Sequence, residues 1–329
     1  MDDYTICIGT VGEGVWSSPD GGKSWDRRWG NWPGPGENEV RALATDPNSP
    51  HRVYAGSDVG LYVSEDNGMN WEKLDSPMDG KQIWSVTVHP DDPNTIFAGT
   101  KPPEIYRSRN AGKSWEELPT NIAQECFVGP PKVTAIRFDP RDHNTIWAGI
   151  EIDGVFKSMD GGDTWVHLPD CGPDPLHQDI HDVRIAVGPQ TKVYASCPAG
   201  VFASTDEGES WEIHEFPLFH PDDMLSYCRG MELKADDPNV VFVGNGDSTP
   251  GFEGIIQRSQ DGGKTWSPVQ MSKQPNSNIY WMASHPSNPS RMVANSINGY
   301  IYVSDDGGVS WEKVKNEFGE VRSIVWLPN

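Results

Sequence analysis

Seven copies of one octapeptide are spaced along the chain, and they constrain its fold more than any other feature. The copies share the pattern Ser-x-Asp-x-Gly-x-x-Trp, with Asn110 in place of Asp in the third copy. They begin at Ser18, Ser64, Ser108, Ser158, Ser204, Ser259 and Ser304, at intervals of 46, 44, 50, 46, 55 and 45 residues. Repeats of this length are typical of solenoids, propellers and other repeat arrays.

A second repeated block lies between the octapeptides. It reads roughly Val-x-Ala-h-x-x-x-Pro-x-x-Pro-x-x-h-h-Ala-Gly, where h is apolar, as in VRALATDPNSPHRVYAG from Val40. Each repeat therefore holds four short runs rich in β-branched and aromatic residues, separated by Pro, Asn, Asp and Gly. The pattern predicts four β-strands per repeat, and no stretch long enough for a helix has a 3.6-residue period.

Seven four-stranded repeats favour an all-β chain that folds as one seven-bladed β-propeller domain over residues 1–329. The chain opens on a run of second-strand type, YTICIGT, and closes on a run of first-strand type, VRSIVWLP. We therefore expect the C-terminal strand to complete the N-terminal blade. That pairing would close the ring and remove two sheet edges.

The charge of the chain limits the kinds of partner that it can bind. The 329 residues carry a formal net charge of −22, and so acidic a surface repels phosphate backbones and anionic lipid. We expect neither nucleic acid nor a membrane as a partner, and we find no basic-then-apolar leader and no run of about 20 apolar residues. The five cysteines are irregularly spaced and form no CxxC pair, which favours a reduced, cytoplasmic setting.

The octapeptides resemble Asp-box repeats, also called BNR repeats, and they cover the whole chain. Similar repeats occur in sialidases, in xyloglucan-active glycoside hydrolases, in sortilin-type receptors and in photosystem II assembly factors. The resemblance implies a β-propeller and is compatible with several unrelated activities. The N-terminal Arg-Ile-Pro signature of sialidases is absent, and no catalytic pair of either glycosidase family can be matched to residues of this sequence.

The Asp of the octapeptide is expected to stabilise a turn rather than to act in catalysis. A carboxylate between the third and fourth strands can accept backbone N–H groups of its own turn, and Trp25 and its equivalents can pack between blades. Seven equivalent sites around a ring cannot converge on one substrate. The residues given this structural role are Asp20, Asp66, Asn110, Asp160, Asp206, Asp261 and Asp306.

Antiparallel strands sort the loops onto two faces of the ring. The octapeptides share one face with the turns between first and second strands. The opposite face, which we call the variable face, carries the links between blades and between second and third strands. Variable loops on a rigid frame commonly carry function, so we expect the functional site on the variable face.

Three histidines stand outside the repeated pattern, in two long insertions of the variable face. They are His177, His181 and His220. Imidazoles from neighbouring loops can bind a divalent metal ion, which makes such an ion a candidate cofactor, or they can act as acid–base catalysts. Tyr227, in the second insertion, is a further catalytic candidate. The alternative is that these are ordinary loop histidines.

One position in the first strand of each blade is rich in arginine. It holds four of the 13 arginines of the chain. The first strand of the fifth blade, which contains Arg184, needs a one-residue deletion to align. The aligned residues are Arg41, Trp84, Thr134, Arg184, Arg229, Tyr280 and Arg322. If the first strand is innermost, this position surrounds the central channel. Arginine suits a carboxylate, sulfate or phosphate, and Trp84, Tyr280 and Trp281 offer stacking surface for a ligand.

Local acids give these arginines a second interpretation. Three of them follow an acidic residue by two positions, which on a strand puts both side chains on one side. The acids are Glu39, Asp182 and Glu320. Each such arginine can simply neutralise its neighbour and bridge blades, and Arg229 is the one that a local acid explains least.

Together these features favour a hydrolase or lyase acting on a small anionic, carboxylate-, sulfate- or sugar-acid-like substrate at the mouth of the channel. Arginines would bind the anion, and a histidine, with or without a metal, would move a proton or activate water. A non-catalytic scaffold that binds a protein partner and a BNR-repeat glycoside hydrolase with a carbohydrate-like ligand are the alternatives. Trp29 and Trp32 could border the opening and stack on a sugar ring.

Overall fold

Seven antiparallel sheets stand around a common axis in the computed structural model of the chain, which describes residues 4–28, 38–127 and 129–329. Trp29 and Trp32 lie outside the described residues. Six of the sheets have four strands and one has five, and the described residues include a single turn of 3-10 helix at Pro175–Gln178. The prediction of an all-β, seven-bladed propeller is confirmed.

The strands of the first three blades are β29 (Val321–Pro328), β1 (Tyr4–Thr10), β2 (Val15–Ser18) and β3 (Asp26–Arg28); β4 (Val40–Asp46), β5 (Ser49–Ser57), β6 (Leu61–Ser64) and β7 (Glu72–Leu74); and β8 (Gln82–His89), β9 (Asp92–Lys101), β10 (Ile105–Ser108) and β11 (Glu116–Glu117). Blades four and five are β12 (Val133–Asp139), β13 (Asp142–Ile150), β14 (Gly154–Ser158) and β15 (Val166–His167); and β16 (Asp182–Ala186), β17 (Lys192–Cys197), β18 (Gly200–Ser204) and β19 (Glu212–His214). Blades six and seven are β20 (Tyr227–Lys234), β21 (Asp237–Gly246), β22 (Gly254–Ser259) and β23 (Ser267–Pro268); and β25 (Ile279–Ser284), β26 (Met292–Ser296), β27 (Tyr300–Ser304) and β28 (Ser310–Glu317), with β24 (Gln270–Met271) added outside β28.

The ring closes through the two ends of the chain. β29 pairs antiparallel with β1, in a register that sets Pro328 opposite Tyr4 and Val325 opposite Cys7. The C-terminal strand is therefore the innermost strand of the blade that the N-terminus begins, as expected. Each strand gains a hydrogen-bonded partner, so the two edges that face each other are no longer free.

The first strands line the axis, because each of them contacts the first strand of the next blade around the ring. The Ala-Gly end of the second strand makes this close approach sterically feasible. A Cβ on Gly56 would lie 2.5 Å from Cγ2 of Ile83 in the next blade, and one on Gly99 would lie 2.5 Å from Cγ1 of Val133. Only glycine leaves room for neighbouring blades to converge there.

The apolar core is divided among the seven interfaces between neighbouring blades. One buried cluster, for example, joins Val53 and Tyr62 of the second blade to Cys7 and Leu327 of the first. The octapeptide tryptophans contribute at these interfaces, and Trp25 packs 4.8 Å from Phe318 of the seventh blade. Burial of such aromatic side chains stabilises a fold by roughly 1.5–3 kcal/mol each.

The octapeptide forms the turn predicted for it. In the first copy, Oδ1 of Asp20 accepts the backbone N–H of Ser24 at 2.9 Å, and the N–H of Gly22 donates to Oγ of Ser18 at 2.7 Å. The indole N–H of Trp25 donates to the carbonyl of Gly22 at 3.1 Å. The fourth strand begins just after the Trp in this copy, rather than at it, because the Trp still closes the turn.

No helix among the described residues is long and apolar enough to cross a membrane.

Candidate functional site at the channel mouth

A cavity of about 290 Å³ opens on the axis between the first strands. All seven residues of the arginine-rich position line it, together with Trp281. The alignment of the first strands therefore located the lining of the channel. Sites of this kind, concave and enclosed by several elements, are where small ligands commonly bind.

A β-bulge lies at the channel-lining position of the first strand in most of the blades. In six of the seven blades the pairing of the first and second strands skips a residue at the aligned position, as at Arg41 between Val40 and Ala42. A bulge leaves its extra residue unpaired and re-aims that side chain. In the fifth blade, where the first strand is one residue shorter, pairing runs without a break through Arg184.

Three of the four arginines contact the local acid expected from the sequence. Nε of Arg184 lies 3.0 Å from Oδ2 of Asp182, and Arg41 and Arg322 each form an ion pair with the glutamate two positions earlier. Asp182 also contacts Nη2 of Arg137 at 2.7 Å, from the neighbouring blade. These arginines thus neutralise local acids, and at Asp182 the pair bridges two blades.

Arg229 is different, because no carboxylate of the described residues lies within ion-pair distance of it. Its Nη2 donates to the hydroxyl oxygen of Tyr280 at 2.9 Å, and its guanidinium lies 4.7 Å from the centre of that ring. Nη1 lies 3.5 Å from the hydroxyl of Tyr227, and the buried Nε has no hydrogen-bond partner. Arg229 is only 6% exposed, so it is a buried charge with donors to spare.

Tyr280 sits between two guanidinium groups. Its hydroxyl oxygen also accepts from Nη1 of Arg322 at 3.0 Å. Burial opposes ionisation of the phenol, but the charges of Arg229, Arg322 and Lys132 outweigh it and lower the pKa of Tyr280 to about 8.

His181 is buried beside this cluster in a defined tautomer. Its Nδ1 donates to the carbonyl of Cys228 at 2.7 Å, and its Nε2 lies 3.3 Å from both the hydroxyl of Tyr227 and Oδ2 of Asp179. Burial, with the charge of Arg229, lowers the pKa of His181, which favours the neutral ring, whose Nε2 can accept a proton. Burial raises the pKa of Tyr227 to about 12, so its phenol can donate to that nitrogen.

The other two histidines of the predicted trio lie apart from His181. His177 is in the 3-10 turn, where its Nδ1 accepts the N–H of Asp174 and its ring packs on Phe202. His220 is exposed, with Nε2 3.9 Å from a carboxylate oxygen of Glu253. Their ligand atoms do not come together in the described structure, since His181 is buried, His177 lies in the 3-10 turn and His220 is exposed, so the three do not form the expected metal-ligand set.

The described residues contain one cluster with metal-like spacing, and it lies on the octapeptide face, at His89, Asp91 and His143. There Nδ1 of His89 accepts the backbone N–H of Asp91 at 3.1 Å, which places the ring proton on Nε2. Nδ1 of His143 contacts Oδ2 of Asp91 at 2.5 Å. This pattern is that of a hydrogen-bonded turn, since the imidazole of His89 has no lone pair left for a metal.

Two charged residues of the channel were missed by the sequence analysis. Arg137 and Glu232 both occupy the fifth position of their first strands, counted from the residue before the bulge, and both line the cavity. Burial raises the pKa of Glu232 in spite of the nearby Arg184, whose Nη2 lies 3.4 Å from it. Comparing the fifth position across the strands, as was done for the second, would have found them.

Two family models match parts of the chain. A model described as sortilin, neurotensin receptor 3, matches residues 59–171, and one described as photosynthesis system II assembly factor YCF48 matches residues 176–327. Neither covers half of the chain. With the seven blades and seven octapeptides, they establish the class: the chain is a β-propeller built on Asp-box, or BNR, repeats.

Within this class the chain is similar to proteins of more than one function. A probable oligoxyloglucan-reducing end-specific xyloglucanase of Neosartorya fischeri is 26% identical over 272 residues, which are 76% of this chain and 29% of that protein. The GH74 xyloglucanase from Xanthomonas campestris superposes with a TM-score of 0.71 at 16% identity, over 95% of this chain and 52% of that one. YCF48 bound to D1 peptide superposes with a TM-score of 0.63 at 16% identity, over 93% and 87%.

The chain spans less than a third of the length of the curated xyloglucanases that it matches. The structural likenesses, at such low identity, show the fold.

Proposed function

We propose that the chain is a hydrolase or lyase that binds a small carboxylate-bearing substrate in the central channel. The observation that carries the proposal is Arg229, a buried guanidinium with an unpartnered Nε and no carboxylate within reach in the described structure. A protein gains nothing in stability from such a charge unless something neutralises it. A planar anion can do so through two parallel hydrogen bonds.

The size and lining of the cavity support a small substrate. Its volume of about 290 Å³ suits a molecule of monosaccharide size rather than a polymer chain. The guanidinium of Arg41 lies 4.4 Å from the ring centre of Trp84, and that of Arg137 lies 5.9 Å from the ring centre of Trp281. Aromatic faces beside cationic groups suit a sugar acid, which has one apolar ring face and one carboxylate.

His181 supports the chemical part of the proposal. Its Nε2 can take a proton, Tyr227 can supply one, and Asp179 stabilises the imidazolium that forms in between. Both hydrolysis and elimination need one group that removes a proton and another that returns one. Nε2 of His181 thus lies within reach of both other groups, and the hydroxyl of Tyr227 lies 3.5 Å from Nη1 of Arg229.

The xyloglucanase relatives raise a glycosidase as a related possibility within the hydrolase class. Glycosidases generally use two carboxyl groups, one of them protonated. Glu232, with its raised pKa, fits the protonated role. Asp182 fits the second role poorly, because Arg137, Arg184 and the N–H of Val183 and Met231 already occupy its oxygens.

A protein-binding propeller is the second candidate, and exposed apolar side chains favour it. Leu218, Met224 and Phe252 are 46%, 95% and 85% exposed. The first two lie in the loop before β20 and Phe252 lies in the loop between β21 and β22, and these loops approach each other at His220 and Glu253. Apolar side chains that protrude together commonly mark a docking surface. The similarity to YCF48, solved bound to a peptide, fits the same candidate.

The proposal is tested by substituting Arg229→Ala and measuring anion binding. Calorimetry with glucuronate, succinate and sulfate should show binding of at least one anion to the natural chain, and none of glucose. The substitution should weaken that binding by roughly 10- to 100-fold, since it removes a charged hydrogen bond of about 1.5–3 kcal/mol. Unchanged melting temperature would show that the fold is intact.

Arg109→Ala is the matched control, because Arg109 is an exposed arginine on the octapeptide face and its loss changes the net charge equally. It should leave anion binding unaltered. Failure of all three anions to bind the natural chain, or equal binding by the Arg229→Ala variant, would overturn the proposal and favour the protein-binding candidate.

A further inference from the structure

One phenol oxygen in the channel accepts hydrogen bonds from two guanidinium groups. Arg229 and Arg322 donate to the hydroxyl oxygen of Tyr280 at 2.9 and 3.0 Å, and their guanidinium carbons lie 4.7 and 5.0 Å from its ring centre. Tyr280 is 4% exposed, so water competes little for that oxygen. An oxygen that accepts two charged donors is set up to carry negative charge.

The charges around Tyr280 come from several elements. β20 supplies Arg229 and Tyr227, β29 supplies Arg322, and Lys132 precedes β12. The acids that face these cations are Glu320 on Arg322, Glu151 on Lys132, and Asp179, which acts on Arg229 from beyond ion-pair distance. Arg322 and Lys132 thus have carboxylate partners, whereas Arg229 depends on the phenol oxygen of Tyr280.

We infer that the phenolate of Tyr280 and a bound substrate anion compete for Arg229 and Arg322, so that binding of the anion takes up one proton at Tyr280. The inference rests on the proposed function, because it concerns the same anion in the same channel. The proton comes from solvent, and the O–H bond of the phenol is the only bond formed.

Tyr280 changes its hydrogen-bonding role in this exchange. As a phenolate it accepts from both guanidinium groups, and as a phenol it can donate its O–H to the anion that has replaced it. The anion therefore gains one donor more than the arginines alone provide. Because the competing phenolate is populated above its pKa of about 8, affinity for the anion should fall as pH rises through that value.

The test follows tyrosinate absorbance in the near ultraviolet during a titration from about pH 6 to about pH 10. The natural chain without ligand should show one tyrosine ionising near pH 8. Sulfate or glucuronate should move that ionisation upward, while glucose should not. Calorimetry in two buffers of different ionisation enthalpy should show up to one proton taken up per anion bound.

Tyr280→Phe should remove the early ionisation and the proton uptake, and Tyr300→Phe, on β27 of the same blade, should remove neither. Absence of any early-ionising tyrosine, or its persistence in Tyr280→Phe, would overturn the inference. If anions bind by calorimetry but leave the ionisation unmoved, the competition is wrong while the proposed anion site stands. If no anion binds, the proposed function and the inferred competition are both overturned, even where the early ionisation of Tyr280 is seen.

Discussion

At the scale of single residues, Arg184 and Arg229 show that one position in the repeat can serve two purposes. Arg184 is held by Asp182 and Glu232, and it belongs to the ion pairs that bridge blades. Arg229 has tyrosine hydroxyls for neighbours and a free Nε. The difference lies in the partners rather than in the arginine, so the role of each one depends on residues from other blades.

This dependence sets the limit of what the sequence could predict about the site. Alignment of the first strands predicted the channel lining, because a repeated fold places equivalent residues at equivalent heights. It could not predict that His181 would meet Tyr227 while His177 and His220 stay apart. That result depends on the path of two insertions, which have no counterpart in the other repeats.

The octapeptide carboxylates predict a loss of stability in acid. Hydrogen bonds from Thr164 lower the pKa of Asp160 to about 2, and those from Thr265 do the same for Asp261. A carboxyl whose pKa is lower in the folded state than the unfolded value of 3.8 stabilises the fold above that value. The contribution should then be lost as pH falls from about 4 to about 2.

Substituting Asp160→Asn should flatten this part of the pH dependence, and the denaturant midpoint measured between about pH 7 and about pH 2.5 checks it. Asn110, which already accepts the N–H of Ser114 at 2.8 Å, shows that an amide can hold the same turn. Asp222→Asn, in an exposed loop, should leave the profile as it is. An unaltered profile for Asp160→Asn would mean that the turn carboxylates do not govern acid unfolding.

At the scale of elements, the approach of the second strand to the next blade predicts a strong effect of a single methyl group. Gly56→Ala places a Cβ within 2.5 Å of the rigid, fully buried Ile83. The strain should lower the free energy of unfolding by roughly 1–3 kcal/mol. Gly319→Ala is the matched control, because nothing lies within 4 Å of its Cβ and its backbone is not left-handed.

Chemical denaturation of the two variants measures this difference. If Gly56→Ala were as stable as Gly319→Ala, the close contact between the second and third blades would not be needed for the fold. The Ala-Gly pair was visible in the sequence as part of a repeated block. Its purpose was not, because the residue that it accommodates belongs to the following repeat.

At the scale of the whole molecule, ring closure by β29 ties the two ends of the chain together. Its removal would expose β1 and would also delete Arg322 from the channel. We expect a chain truncated after Glu320 to lose cooperative unfolding and to aggregate, because an inner strand edge and the apolar faces around Trp326 become accessible. Light scattering and thermal unfolding measure both effects.

Removing Asn329 alone is the control for this truncation, since β29 ends at Pro328. That variant loses the hydrogen bonds of Asn329 with Thr5 and Pro19 but keeps β29, so it should still unfold cooperatively and stay monomeric. A truncated chain that stays monomeric with an unchanged melting temperature would contradict a stabilising role for closure. The overall fold was the part most accessible from sequence, because seven repeats with four strand-like runs each leave few other ways to bury their apolar faces.

The bulges give the channel a freedom that the blades lack. A bulged residue takes no part in the strand ladder, so exchanging it leaves the pairing within its own blade unaltered. The six bulged positions already hold arginine, tryptophan, threonine and tyrosine on one framework. Propellers that share these blades can therefore diverge in ligand by single substitutions in the lining, and the same positions offer a route to redesigning the channel for a new ligand.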